Sequence, residues 1–215
     1  MNFEQELSAI QTEINQMFAA VVQNLGKAVD YYLDPNPEAK APTIDDDRIN
    51  AYERALESLC MQILLKETVY SNDFRRITAS LKIIECLERV GDNAYDIAWM
   101  GKDIKALKDC APLPGAEELS SRVEGMMNDA FKAYLSEDVK LSQAIMERDD
   151  EVDKLYWDMV VNLGKMADEG SVSGTRAVYE AHVLKFFERV ADQATNVAEW
   201  VVYEKTGYHK DRAII

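Results

Sequence analysis

The sequence predicts an all-α protein made of two tandem three-helix bundles, six helices in all, that arose from an internal repeat. Three observations predict this fold. Apolar residues recur at three- and four-residue steps along most of the chain, and strand-like alternation of useful length is absent. One motif also occurs twice, as Glu88-Arg89-Val90-Gly91-Asp92 and, one hundred residues later, as Glu188-Arg189-Val190-Ala191-Asp192.

Three helices are predicted in the first half. From about Phe3 to Leu33 the apolar residues form one stripe, which ends at a proline-rich stretch, Pro35 to Pro42. A second helix is predicted to begin near Ile44, where three aspartates suit the positive end of the helix dipole, and to run toward Val69. Ser71-Asn72-Asp73 is typical of a turn and an N-cap, and it opens the third helix.

The third helix is predicted to pack through one apolar face, which carries the following residues: Ile77, Leu81, Ile84, Leu87, Gly91, Ala94 and Ala98. A linker with two prolines, Leu107 to Gly115, follows it. We therefore expect one repeat over residues 1–109 and the second over residues 110–215.

The second half repeats this pattern. Helices are predicted from Glu117 to about Leu135 and from Val139 to about Met166. A turn, Gly170-Ser171-Val172-Ser173-Gly174, is predicted before a long last helix that runs to about Lys205. Residues 207–215 are predicted to be frayed. The middle helices also correspond, because Asp46-Asp47-Arg48-Ile49-Asn50 matches Asp149-Asp150-Glu151-Val152-Asp153, and two matches in the same order indicate internal duplication.

Composition excludes several classes of protein. The 215 residues carry a net charge of −15 without a basic run, which argues against direct nucleic-acid binding. No apolar run approaches the ~20 residues that span a bilayer, and the N-terminus is acidic where a signal peptide is basic, so we expect a cytoplasmic protein. The three cysteines form no CxxC pair and are expected to be reduced and buried.

Four pairs of oxygen-bearing side chains recur at corresponding places in the two halves, each pair four residues apart. They are Asp46 and Asn50, Glu88 and Asp92, Asp149 and Asp153, and Glu188 and Asp192. Residues at this spacing lie on one face of a helix. If the helices of each hairpin pack antiparallel about turns near Tyr70 and Gly170, two pairs meet at one level in each half.

Carboxylates grouped in this way repel one another unless a cation neutralises them. Oxygen ligands suit magnesium, calcium, manganese or iron better than structural zinc. Because these residues lie at the edge of the predicted apolar face, the sequence predicts a metal site on the surface of each half. The simpler alternative is a solvated acidic face with intrahelical ion pairs, such as Glu85 with Arg89. In the second half Lys185 replaces Glu85, which gives Arg189 a like-charged neighbour instead.

A third interpretation is enzymatic, with metal-assisted hydrolysis at the carboxylates. The chain has no Gly-rich phosphate loop, nucleophile elbow or zinc motif. We therefore expect a protein that is not an enzyme.

The duplicated motifs, taken together, resemble those of the PhoU family of phosphate-uptake regulators over nearly the whole chain. The segments that carry the resemblance are Asp47-Arg48-Ile49-Asn50, Ser71-Asn72-Asp73-Phe74-Arg75-Arg76-Ile77, Leu87-Glu88-Arg89-Val90-Gly91-Asp92, Asp150-Glu151-Val152-Asp153 and Phe187-Glu188-Arg189-Val190-Ala191-Asp192.

This resemblance implies a cytoplasmic homodimer that relays phosphate sufficiency from a phosphate ABC transporter to a sensor histidine kinase and acts as a negative regulator. Any membrane association would be through those partners. It also implies metal binding, including multinuclear iron, with manganese, magnesium or zinc as alternatives and no organic cofactor. The metal ligands would be Asp46, Asn50, Glu88, Asp92, Asp149, Asp153, Glu188 and Asp192.

Two features differ from the family pattern. Asn50 replaces the second aspartate of its motif, which implies a weaker first site, and the Pro35 to Pro42 stretch replaces a plain helical connection beside Asp46. The alternative function is a metal-binding or purely structural helical bundle without a role in phosphate signalling.

Overall fold

The protein is described by a computed structural model that covers residues 3–66, 70–210 and 212–213, and it confirms the predicted six-helix fold. The helices are α1 (Phe3–Leu33), α2 (Asp46–Lys66), α3 (Ser71–Ala106), α4 (Ala116–Ser136), α5 (Val139–Asp168) and α6 (Gly174–Thr206). The predicted extension of the second helix toward Val69 lies outside the described residues.

Side-chain caps fix the starts of the second-half helices. Asp138 precedes α5 and accepts hydrogen bonds from the backbone N–H groups of Lys140 and Leu141, at 2.9 and 3.0 Å. Ser173 precedes α6 and accepts from the backbone N–H of Arg176 at 3.2 Å. These bonds satisfy donors that the first turn of a helix leaves without intrahelical partners.

The predicted cap of α3 is placed differently. Tyr70 is the N-cap residue and contributes no side-chain hydrogen bond, so Ser71-Asn72-Asp73 lies inside the first turn. Asn72 uses its side chain to accept a hydrogen bond from Arg75 instead of capping the backbone.

The helices form two three-helix bundles that share one core. Helices α1, α2 and α3 pack together, as do α4, α5 and α6, and the two long helices α3 and α6 make the most extensive contact in the molecule. Stacked rings of Phe18 in α1 and Phe131 in α4, with centroids 4.7 Å apart, add a contact between the bundles. The buried apolar residues therefore make one continuous cluster across both repeats.

Helix α3 is buried on more than the one face predicted. Leu81 of that face is only partly buried, while Ile83, Val90 and Ile97, which recur every seven residues, are fully buried as well. Because α3 packs against α6 in addition to α1 and α2, it needs a second apolar stripe.

Helices α2 and α3 approach closely beside the predicted metal ligands. A Cβ atom added to Gly91 would lie 3.1 Å from Cγ2 of Ile49, so the absence of a side chain at Gly91 makes room for Ile49. At the corresponding positions the second repeat has the larger Ala191 and the smaller Val152, both buried. The larger residue at one of these positions thus accompanies the smaller residue at the other.

The prediction of a frayed C-terminus is wrong for residues 208–210 and 212–213, while residues 211 and 214–215 lie outside the described part of the chain. Tyr208–His209 (β1) pairs antiparallel with Arg212–Ala213 (β2). The ring of His209 stacks on that of Trp200 in α6, with centroids 4.1 Å apart, and this contact holds the segment against the helix. Of the helices described, none has the length and apolar character needed to cross a membrane.

Candidate metal centre

Carboxylates converge between α5 and α6, in a group that we call the second-half cluster: Asp149, Asp153, Glu188 and Asp192. Asp153, Glu188 and Asp192 each offer one oxygen atom, and these three atoms lie within 4.8 Å of one another. Each helix supplies two of the four side chains from one face. Asp149 and Asp153 lie on one face of α5, and Glu188 and Asp192 lie on one face of α6.

The electrostatics of this cluster favour a bound cation. Burial, together with Glu188, Asp149 and Asp153, raises the pKa of Asp192 to about 6. Burial is also the largest cause that raises the pKa values of Asp149 and Asp153, and the neighbouring carboxylates add to it. Burial and mutual repulsion thus raise the free energy of the ionised carboxylates, and a bound cation would lower it.

Two buried oxygen atoms of the cluster have no hydrogen-bond partner. They are Oε2 of Glu188 and Oδ1 of Asp149, and the side chain of Glu188 is only 13% exposed. A buried carboxylate oxygen without a partner is costly, so these atoms fit a metal ion that would be their missing partner.

Lys185 supplies part of the neutralising charge, a role that the sequence analysis missed. Its ammonium group pairs with Oε1 of Glu188, three residues along α6, and lies 5.3 Å from the centre of the Tyr156 ring. Lys185 was expected to act mainly as a like-charged neighbour of Arg189. In the structure Arg189 lies over the ring of Phe186, 6.0 Å from its centroid.

The first-half cluster, Asp46, Asn50, Glu88 and Asp92, lies between α2 and α3. The amide of Asn50 donates a hydrogen bond to Oδ2 of Asp46 at 2.8 Å, while Oδ1 of Asp46 is buried without a partner. Burial and then the charges of Asp92, Glu53 and Asp46 raise the pKa of Glu88 to about 7. Among the residues described, the three carboxylates of this cluster, Asp46, Glu88 and Asp92, do not form a group whose oxygen atoms all lie within 4.8 Å of one another.

Glu53 belongs to the electrostatic surroundings of the first-half cluster, although it was not predicted. It raises the pKa of Glu88, and its own pKa is raised by burial and then by Glu57. Glu53 lies seven residues after Asp46 and three after Asn50, on the same face of α2. This spacing in the sequence could have revealed it.

One carboxylate of each cluster, Asp92 or Asp192, lines a groove between α3 and α6 with a volume of about 390 Å³. The groove is lined by Arg89, Asp92, Asn93, Asp96, Arg189, Asp192 and Gln193. Arg89 is held by Glu85 at 2.5 Å, which is the intrahelical pair expected from the sequence. Burial raises the pKa of Asp96, and Arg189 across the groove opposes that rise.

The ligand atoms of both clusters suit a hard cation. They are carboxylate and amide oxygens, which favour magnesium, manganese or iron over structural zinc. The three cysteines are free and buried away from this chemistry, as predicted, and His182 is exposed.

Comparison with known proteins shows which family the chain resembles. The sequence profile of the PhoU domain matches the chain twice, at residues 14–100 and 116–201. A phosphate-specific transport system accessory protein PhoU homolog from Clostridium acetobutylicum is 26% identical over 212 residues, which cover 97% of this chain and 96% of the relative. PhoU homolog 1 from Thermotoga maritima is 27% identical over 209 residues, with 96% and 90% covered.

Solved structures give the same result for the fold. The crystal structure of PhoU from Pseudomonas aeruginosa superposes with a TM-score of 0.90 at 26% identity, and the match covers 96% of this chain and all of that one. PhoU from Streptococcus pneumoniae, at 22% identity and a TM-score of 0.86, shares the fold over 98% of this chain and all of that one.

Proposed function

Because the chain belongs to the PhoU family of phosphate-transport accessory and regulatory proteins, we propose that it restrains phosphate uptake and the phosphate-starvation response from the cytoplasm. It would act as a homodimeric adaptor between a phosphate ABC transporter and a sensor histidine kinase, and it would bind metal through its surface carboxylates. The two-fold match to the family profile supports the regulatory role.

One observation carries the metal proposal, namely the convergence of Asp153, Glu188 and Asp192 within 4.8 Å. The unpartnered oxygen of Glu188 supports it, because that atom is buried and has no donor. When bound, the metal would neutralise the cluster and link α5 to α6. Asp149, on the same face of α5, would add its own unpartnered oxygen.

The first-half cluster would hold metal more weakly. Its Asn50 contributes an uncharged oxygen and already donates to Asp46. Affinity for a divalent cation falls with each carboxylate that is lost from the ligand set.

Metal analysis tests the site directly. Protein purified without chelators should contain iron, manganese or another divalent ion, and Glu188→Ala plus Asp192→Ala should remove at least half of it. Glu13→Ala plus Glu117→Ala is the matched control, because both residues are exposed on other helices and the change in charge is the same. Equal metal content in the two variants would contradict the site.

Gene deletion tests the regulatory role. Loss of the protein should derepress phosphate-scavenging genes in phosphate-rich medium, and the wild-type gene should restore repression. Unchanged expression in the deletion strain would favour the alternative, a metal-binding or structural bundle. Comparison of wild-type and Glu188→Ala plus Asp192→Ala proteins in the same strain then shows whether repression depends on metal.

A further inference from the structure

The two ends of the α3–α6 pair carry related polar clusters, because the repeat places equivalent residues one hundred positions apart. Arg76 lies near the start of α3 and Arg176 near the start of α6, while Lys105 and Lys205 lie near the ends of the same helices. The two clusters therefore can be compared residue by residue.

The closed cluster, around Arg176, satisfies all of its charged groups from within the chain. The side chain of Arg176 is 5% exposed and pairs with Glu180 at 3.2 Å and with Asp109 at 2.5 Å, and it also donates to the carbonyl of Ala111. The hydroxyl of Tyr32 donates to the other oxygen of Glu180 at 2.7 Å. In this network the guanidinium is buried and paired with groups of the chain itself.

The open cluster, around Arg76, lacks the central carboxylate. Ser80 occupies the position equivalent to Glu180. Arg76 donates to the neutral amide oxygen of Gln11 at 2.7 Å, and its ion pair with Glu204 is long, at 3.9 Å. Its side chain is 32% exposed, so part of its guanidinium faces the solvent.

Arg75 adds a second guanidinium to the open cluster, where the other repeat has Thr175. Its terminal nitrogen donates to Oδ1 of Asn72, and its Nε is buried without a hydrogen-bond partner. Arg75 forms no ion pair with any residue in the described part of the chain. Lys205 in turn is held by Glu137.

These groups surround a cleft of about 230 Å³, lined by Asn72, Arg75, Arg76, Glu137, Glu204 and Lys205. Glu137 balances Lys205 and Glu204 balances Arg76, which leaves the charge of Arg75 in excess. A cleft of this size is smaller than pockets that hold drug-sized ligands. In a chain of net charge −15, a local excess of positive charge around an open space indicates an anionic ligand.

We propose that this cleft binds a small tetrahedral oxyanion, inorganic phosphate or sulfate. Arg75 would hold it with its planar pair of donors, and Arg76 and the Asn72 amide would add further donors. The anion would take the part that the Glu180 carboxylate has in the closed cluster. This inference is independent of the metal site.

Thermal stability and calorimetry test the proposal on the full chain, with inorganic phosphate and sulfate as probes against chloride at constant ionic strength. A chelator is present, so that binding through a metal ion does not contribute. Phosphate and sulfate should both raise the melting temperature saturably, since a ligand that binds the folded state stabilises it. A wild-type response equal to that of chloride would overturn the proposal.

Three variants locate the site. Arg75→Gln should weaken phosphate binding at least tenfold, while Arg54→Gln, an exposed arginine on α2 with the same change in charge, should bind as the wild type does. Ser80→Glu, which restores the carboxylate of the closed cluster, should abolish binding while circular dichroism shows an intact fold. The comparison of Arg75→Gln with Arg54→Gln tests the site even if Ser80→Glu does not fold. Equal affinity of these two variants for phosphate would refute the site.

Discussion

At the scale of single residues, the carboxylates of the two clusters make stability depend on pH. The pKa of Asp192 is about 6 and that of Glu88 about 7 in the folded protein, against ordinary values of 3.8 and 4.5. At a pH between the ordinary and the folded-state pKa of each group, the folded protein binds more protons than the unfolded protein. The contribution of these two groups to the stability of the metal-free protein therefore falls as pH rises through this window and is smallest above about pH 7.

This dependence gives the first prediction. Chelator-treated protein should melt at a lower temperature at pH 8 than at pH 5, and Asp192→Asn should reduce the difference by removing one repelling charge. Manganese should raise the melting temperature at pH 8 and have little effect at pH 5, where protons compete for the ligands. A melting temperature that rises from pH 5 to pH 8 equally in wild type and Asp192→Asn would contradict this account.

Lys185 gives the second prediction, because it already pairs with Glu188. A metal ion must compete with its ammonium group for the same carboxylate. Lys185→Met should therefore increase the affinity for manganese about three- to tenfold, or ~1 kcal/mol, as measured by calorimetry. Lys165→Met is the control, because Lys165 lies in the last turn of α5 and the change in charge is the same. An unchanged or weaker affinity for manganese in Lys185→Met would show that the ion pair with Glu188 does not oppose metal binding.

At the scale of helices, the contact of Gly91 with Ile49 gives the third prediction. Gly91→Ala gains about 1 kcal/mol of helix propensity and loses roughly 1–3 kcal/mol to crowding against Ile49. Alone it should destabilise the protein by about 1 kcal/mol, as measured by urea unfolding.

The second repeat suggests the compensating change. That repeat has Val152 and Ala191 at the positions that correspond to Ile49 and Gly91. The double variant Ile49→Val plus Gly91→Ala should therefore be more stable to urea than the sum of the two single effects predicts. Additive effects would mean that α2 moves away from α3 without strain.

At the scale of the whole molecule, the shared core makes the two repeats one folding unit. The bond from Tyr32 in α1 to the buried Glu180 in α6 crosses between them at 2.7 Å. Tyr32→Phe should cost roughly 1–3 kcal/mol, since it leaves a buried carboxylate oxygen without its donor.

Urea unfolding measures this fourth prediction, and Tyr208→Phe is the control, because Tyr208 is 54% exposed. A single unfolding transition is expected in both variants, because one core spans both bundles. Two separated transitions would show that the repeats unfold independently.

The sequence by itself determined the six helices, the repeat and the faces that carry the acidic pairs. Apolar periodicity, prolines and motif spacing are local properties, and they survive in any packing of the helices. Glu53, which was not predicted, shares a face of α2 with Asp46 and Asn50, so its spacing could also have revealed it. The PhoU motifs were also legible without coordinates, because they are contiguous.

Tertiary structure decided which of these residues meet. The rotation and separation of α5 and α6 bring oxygen atoms of Asp153, Glu188 and Asp192 within 4.8 Å of one another. The ion pair of Lys185 with Glu188, by contrast, is local to α6, so its spacing of three residues could have been read from the sequence. The second apolar stripe of α3 follows from its contact with α6, which no local pattern specifies. Distances between side chains on different helices depend on how those helices pack, and periodicity fixes only which face each side chain occupies.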